Sequence, residues 1–246
     1  EGIKSWKEYG NTPRSGDVTY LMENTAVEKK WVYYLSMLSK EVHRLRDIGR
    51  AEDAACTVQK FFETEVLEIM KIARQHGSKL VYSGGCAQNV TANSLIRELF
   101  DDMHVAVQPT DAGSALGCAA MEWHQETGGT HLKWSPYSGH NIEREIDPKE
   151  IAQYLVDNKV CGVANGRSEY GPRALGNRSL LADVRYDVQD TVNDIKRRQR
   201  FRPFAPAILS EYADEYFEGH MGEYMQYTAV AKHPYKSVTH VDGTAR

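Results

Sequence analysis

The chain has 246 residues, 41% hydrophobic and 26% charged, enough apolar material for one large domain or two modest ones. A net charge of −4 and a mean hydropathy of −0.56 exclude a general pull toward nucleic acid or membrane. No apolar run approaches the ~20 residues of a membrane span, EGIKSWKEYG is no signal peptide, and Cys56, Cys86, Cys118 and Cys161 never form Cys-x-x-Cys, so free thiols in a cytoplasmic protein without a zinc site are expected.

Residues 1–25 carry little pattern. From 50 to 76, apolar residues recur at helical spacing (Ala54, Val58, Phe61 or Phe62, Val66, Ile69, Ile72), which predicts an amphipathic helix with that stripe inward. A short buried strand over 79–85 ends in a glycine turn. A helix over 91–100, a strand over 104–109 and a small-residue helix over 111–125 follow. Residues 128–148 are rich in Gly, Pro, Ser and His and read as a linker. Beyond it come a helix over 148–159, a strand over 160–165, a Gly/Arg loop, and a helix over 187–198. Strands alternating with helices on both sides of the linker predict an α/β fold with a division near residue 137.

Chemistry is concentrated in the Gly/Arg loop, GRSEYGPRALGNRSLLADVR (166–185). Arg167, Arg173, Arg178 and Arg185 are interleaved with Gly166, Gly171, Pro172 and Gly176, and Asn177 and Ser179 flank Arg178. Ordinary helices and strands do not tolerate that density of Gly and Pro. Glycine exposes backbone N–H groups to an anion, and guanidinium forks bind phosphate bidentately. Glu169, Asp183 and Asp187 are close in sequence and offer the plainer role of ion-pair partners. From Gly166 to Arg202 there are nine Lys or Arg against five acids, a local excess suited to small anions. KRRQR (196–200) reads as a solvated helix face.

Two further candidates lie earlier. SGGCAQN (83–89) stands between a strand and a helix, where Ser83, Gly84, Gly85 and Asn89 could receive phosphate on free N–H groups; a purely structural turn is the more frequent use of such a sequence. Asp111 in PTDAGSALG precedes a helix, where an N-cap is the default role.

The 166–185 segment with RFRPFAPAIL (200–209) resembles the signature of the ATP-dependent O-carbamoyltransferases that decorate antibiotics and nodulation factors, and HVDGTAR (240–246) is similar to a further segment of that family. Gly84, Gly85, Ala87 and Asn89 match the family's Gly-Gly-x-Ala-x-Asn ATP-binding segment, with Gln88 where relatives usually carry an apolar residue. The resemblance implies a partial Kae1-like lobe of the actin/Hsp70 ATPase type (1–137), followed by a truncated YrdC-like α/β domain (138–246). It implies that the second makes carbamoyl-adenylate from carbamoyl phosphate and ATP, with Mg2+ on the nucleotide, and that the first passes the carbamoyl group to a hydroxyl of a small molecule.

On that resemblance Arg173, Arg178, Arg202 and His240 are the catalytic candidates. Arg167, Asn177, Ser179 and Arg246 would bind carbamoyl phosphate or the adenylate, and Ser83, Gly84, Gly85 and Asn89 would bind ATP. Asp111 would be one ligand of Fe(II) or a similar ion, with paired histidines upstream; no His-x-x-x-His occurs here, and the chain reads as a fragment of a longer protein. A homodimer is left open. A tRNA threonylcarbamoylation-type enzyme and a non-catalytic nucleotide-binding module are the competing readings; a tRNA-acting protein would be expected to show a broad basic face.

Overall fold

A computed structural model describes residues 38–144 and 146–246; the expectation for residues 1–25 lies outside them. The chain divides into two compact units, residues 1–68 and 69–246. Helix and strand alternate as the α/β reading requires.

Residues 38–47 are helical, and α1 (Ala51–Arg74) begins shortly after. Glu52 and Asp53 lie in its first turn and Lys71 and Arg74 in its last, as the helix dipole favours. Its apolar stripe is only partly inward: Ala54 and Val66 are buried but Val58, Ile69 and Ile72 are exposed, while Glu63 and Met70, outside the stripe, are buried. Glu63 is tolerated there because Gln59 and Lys60, on the preceding turn, donate to its carboxylate.

The unit from residue 69 onward opens with a βαβ element. β1 (Lys79–Tyr82) pairs in parallel with β2 (Asp102–Val105), and α2 (Val90–Arg97) supplies the crossover that parallel strands require. Ala92 and Ile96 on α2 have no exposure, and Phe100, Met103 and Val105 are buried as well. Burying a side chain such as Ile96 contributes about 1.5–3 kcal/mol. β2 starts and ends earlier than the predicted 104–109, and residues 106–110 are irregular.

α3 (Ser114–Thr127) leads into the presumed linker, which is not a free connection. Gly139 N–H donates to Ser168 O, Ser168 N–H to His140 O, Tyr170 N–H to Pro136 O and Tyr137 Oη to Leu175 O. β3 (Asn141–Ile142) pairs antiparallel with β5 (Gly166–Arg167). The segment is a brace along the Gly/Arg loop, which its composition concealed because irregular pairing leaves no periodicity.

α4 (Pro148–Asn158) is capped by the Asp147 carboxylate, with proline in its first turn. β4 (Val160–Ala164) then pairs antiparallel with β6 (Arg178–Ala182). The end of the Gly/Arg segment is therefore strand, contrary to the expectation of loop throughout. α5 (Gln189–Ile195) is shorter than the predicted 187–198. α6 (Ala213–Tyr216) precedes a three-stranded antiparallel sheet of β7 (Phe217–Glu218), β8 (Ala229–Ala231) and β9 (Thr244–Ala245). No described helix is long and apolar enough to cross a membrane.

Candidate functional site

The Gly/Arg loop folds around its own carboxylate. Glu169 Oε1 accepts the N–H groups of Leu175, Asn177 and Arg178 at 2.9, 2.8 and 3.1 Å. Burial alone would raise the Glu169 carboxyl, but its own backbone N–H together with these donors outweighs it and holds it below the usual carboxylate range. The backbone donors expected to cradle a phosphate thus cradle an internal anion instead.

Arg178 is likewise committed to the fold. Its guanidinium donates to the carbonyls of Asn165, Asn177, His140 and Gly166. That locks β6 to the start of the loop and to residue 140, in place of the phosphate contact expected of it. Asn177 Nδ2 donates to Arg167 O, Ser179 Oγ accepts from Gly176 N–H, and Arg167 reaches Gly139 O. All three support the loop. Arg185 is bound by both oxygens of Asp183, and Arg200 by Asp194 and Asp190.

Arg173 differs. It is half-buried, its described hydrogen bond is a single one to Gln88 O at 3.2 Å, and burial pushes its guanidinium down from the usual value. Arg246 is lowered by burial first and by the charge of Arg173 second, and its Nε is buried with no partner. Arg198 is lowered by burial and then by Arg202 and Arg246. The charge of Arg173 thus acts on Arg246, and those of Arg202 and Arg246 on Arg198, and among the described residues no carboxylate is ion-paired with any of the four. Like charges brought together at partly desolvated positions are costly, and an anion is what relieves them. Arg198, in the stretch read as a solvated helix face, was missed: α5 ends at Ile195, Arg198 lies beyond it, and its guanidinium sits 4.3 Å from the centre of the Phe204 ring.

Arg246 is delivered by HVDGTAR. His240 N–H donates to Thr244 O and Gly243 N–H to His240 O, a turn that launches β9 against β8. The His240 imidazole lies 3.2 Å from Asp242 at the surface, and its described contacts are within this turn rather than with the arginines.

The Gly-Gly turn and the Asp111 turn converge on the same loop. Arg173 reaches Gln88 O, Tyr170 Oη donates to Ala112 O at 2.7 Å, and a Cβ on Gly171 (φ 127°) would stand 3.2 Å from Val107 O. Ala87, Pro109, Pro172, Arg173 and Met225 close round a cavity of about 10 Å³, room for one water at most, so this joint is packing rather than binding volume. A larger cavity of about 420 Å³, among Ile208, Tyr212, Tyr216, Phe217 and His233, is lined by Val184 and Pro206 of the two signature segments but by none of the candidate site residues.

Within the Gly-Gly turn, strand and helix are not directly joined. A 3₁₀ turn (Gly85–Gln88) intervenes, Gly84 N–H and Ser83 Oγ donate to Pro109 O, and the Asn89 side chain caps α2 by accepting from Ala92 N–H. Ser83, Gly84 and Asn89 therefore have structural partners, while a Cβ on Gly85 would meet nothing within 4 Å. Asp111 is exposed in a 3₁₀ turn, and among the described residues no group of three or more His, Cys, Asp and Glu could hold a metal ion. The described residues alone do not supply a metal's donor set.

A family model described as Carbamoyltransferase N-terminus matches residues 14–120, and one described as Carbamoyltransferase C-terminus matches residues 152–246. The chain is 37% identical over 218 residues to nodulation protein U of Sinorhizobium fredii, covering 79% of this chain and 39% of that protein. It is 37% identical over 211 residues to 3'-hydroxymethylcephem-O-carbamoyltransferase of Amycolatopsis lactamdurans, covering 78% and 40%. Nodulation protein NolO of Bradyrhizobium diazoefficiens is 36% identical over 230 residues, covering 79% and 42%. The chain thus spans about 40% of the length of these relatives. The two matched segments follow one another in order and are hydrogen-bonded through Arg173 to Gln88, Tyr170 to Ala112 and Thr228 to Ser94, and the chain belongs to the carbamoyltransferase family.

Proposed function

We propose that this chain carries the anion-handling part of an O-carbamoyltransferase that uses carbamoyl phosphate and ATP. The observation that supports it best is the set Arg173, Arg246, Arg198 and Arg202, half-buried at Arg173 and Arg246 and with no carboxylate ion-paired to it among the described residues. Carbamoyl phosphate is small and dianionic, and guanidiniums at partly desolvated positions bind such a group more strongly than solvated ones. Water releases phosphate from carbamoyl phosphate to give carbamate, whose oxygen attacks the α-phosphorus of ATP while the P–O bond to pyrophosphate breaks. The negative charge that builds in that step would meet the same fixed cations, which need no reorganisation to stabilise it. Transfer then places the carbamoyl carbon on a hydroxyl oxygen of the acceptor, and AMP leaves with the electrons of the broken C–O bond.

In this reading the Gly/Arg loop and β9 belong to the YrdC-like part, and the turns at Gly85 and Asp111 to the Kae1-like part. Gly85 offers the open approach for nucleotide phosphates, with Mg2+ accompanying ATP. Asp111 would contribute one ligand to a divalent ion completed by other residues, and no step is assigned to that ion. Arg178, Asn177 and Ser179 hold the loop in shape.

The test is calorimetric titration of carbamoyl phosphate into the wild-type chain and Arg173→Ala. Loss of a charge-assisted contact costs about 1.5–3 kcal/mol, so binding should weaken about 10- to 150-fold. Equal affinities would remove Arg173 from the site and the cluster from the mechanism.

A further inference from the structure

α5 grips the arginine segment that follows it. Asn193 has no solvent exposure, and its Nδ2 donates to the carbonyls of both Arg200 and Arg202 at 3.0 Å. Gln189, four residues earlier and so on the same helix face, donates from Nε2 to the same two carbonyls at 3.2 Å. Asn193 Oδ1 in turn accepts from Arg198 Nε, and Arg198 Nη2 reaches Pro203 O. One buried amide thus ties the backbone at Arg202 to the guanidinium of Arg198. A buried amide with both its donor and acceptor sides occupied is costly to rearrange, and it fixes what it touches.

We propose that Gln189 and Asn193 form an amide clamp that presents Arg198 and Arg202 together to a phosphate group, as positioning residues rather than groups that touch the ligand. The assignment rests on the arginine cluster being an anion site. Its physical content is preorganisation. Arg side chains are flexible, and fixing the Arg198 guanidinium and the Arg202 backbone leaves less of that freedom to be lost when a polyanion binds. It also accounts for the side-chain chemistry at residue 193. An aspartate there would keep the acceptor for Arg198 but lose both donors to the carbonyls, and its charge would neutralise Arg198.

Inorganic pyrophosphate titrated into the full chain tests this. Asn193→Asp and Gln189→Leu should each weaken binding about 10-fold. The loss from Asn193→Asp should shrink in an Arg198→Ala background, leaving the part that acts through the Arg202 backbone, and Gln189→Leu should have no further effect in an Arg202→Ala background. This non-additivity is expected only of residues that act through those arginines. Wild-type affinity in both variants, or the same loss with and without the arginine, would overturn the clamp. If Asn193→Asp does not melt cooperatively, the Gln189 pair decides the matter alone. Arg173→Ala is run beside them. If it weakens binding while the clamp variants do not, only the clamp fails; if it has no effect, the anion site itself fails.

Discussion

At the scale of single residues, the Gly/Arg loop shows how the same donor chemistry can serve either a ligand or the fold. Glu169 sits within the loop, and its carboxylate occupies the N–H nest of Leu175, Asn177 and Arg178. Nothing in the one-dimensional pattern distinguishes an internal anion from a bound one, so Arg178 and Asn177 read as ligand contacts although their partners are carbonyls. Arg173, read alongside Arg178 as a ligand contact, has a single described hydrogen bond and that one leaves the loop, to Gln88 O. Glu169→Gln keeps the shape but loses the charge, and should destabilise the chain by about 1–3 kcal/mol at neutral pH. The Glu169 carboxyl is lowered on folding, so its contribution is full above the ordinary value of 4.5 and fades as pH falls below it. Chemical denaturation across that range should show wild type and Glu169→Gln converging toward acid. A constant gap would mean that the carboxylate charge is not what the loop is folded around.

At the scale of elements, most helices and strands were legible from periodicity: α1, α2, α3, α4 and β4 all lie within their predicted stretches to within a few residues. What was not legible came from pairing between distant segments. The brace at 134–142 and the strand β6 are defined by hydrogen bonds to partners far along the chain, and neither has a spacing of its own. On α1, apolar spacing predicted the buried face only in part: Ala54 and Val66 are inward as expected, but Val58, Ile69 and Ile72 are exposed while Glu63 and Met70 are buried. The Gly-Gly turn gives a prediction at this scale. Gly84 has φ 101°, where a Cβ is strained, while Gly85 is ordinary backbone with open space beside it. Gly84→Ala should therefore cost about 1–2 kcal/mol of stability. Gly85→Val should keep the melting temperature near wild type and weaken nucleotide binding by blocking close approach. If Gly85→Val folds and binds ATP as well as wild type, the turn is structural and the ATP assignment falls.

At the scale of the whole molecule, residues matched by the two family segments are hydrogen-bonded into one unit. Asn93 on α2 donates to Ala87 O and Gln226 O, and Ser94 meets Thr228. Tyr227 Oη, from the same stretch, donates to Met103 O at the end of the βαβ element. The bonds from Arg173 to Gln88 O and from Tyr170 to Ala112 O place the arginine loop beside the Gly-Gly and Asp111 turns, so the three places the sequence marked separately are neighbours. The most direct test of that arrangement as an anion site is a crystal structure of the chain with bound pyrophosphate. The expected result is pyrophosphate held by the Arg173 and Arg246 guanidiniums, with Arg198 and Arg202 completing the contact. Pyrophosphate seated instead on exposed cations such as Arg167 or Lys196, with Arg173 and Arg246 untouched, would contradict it.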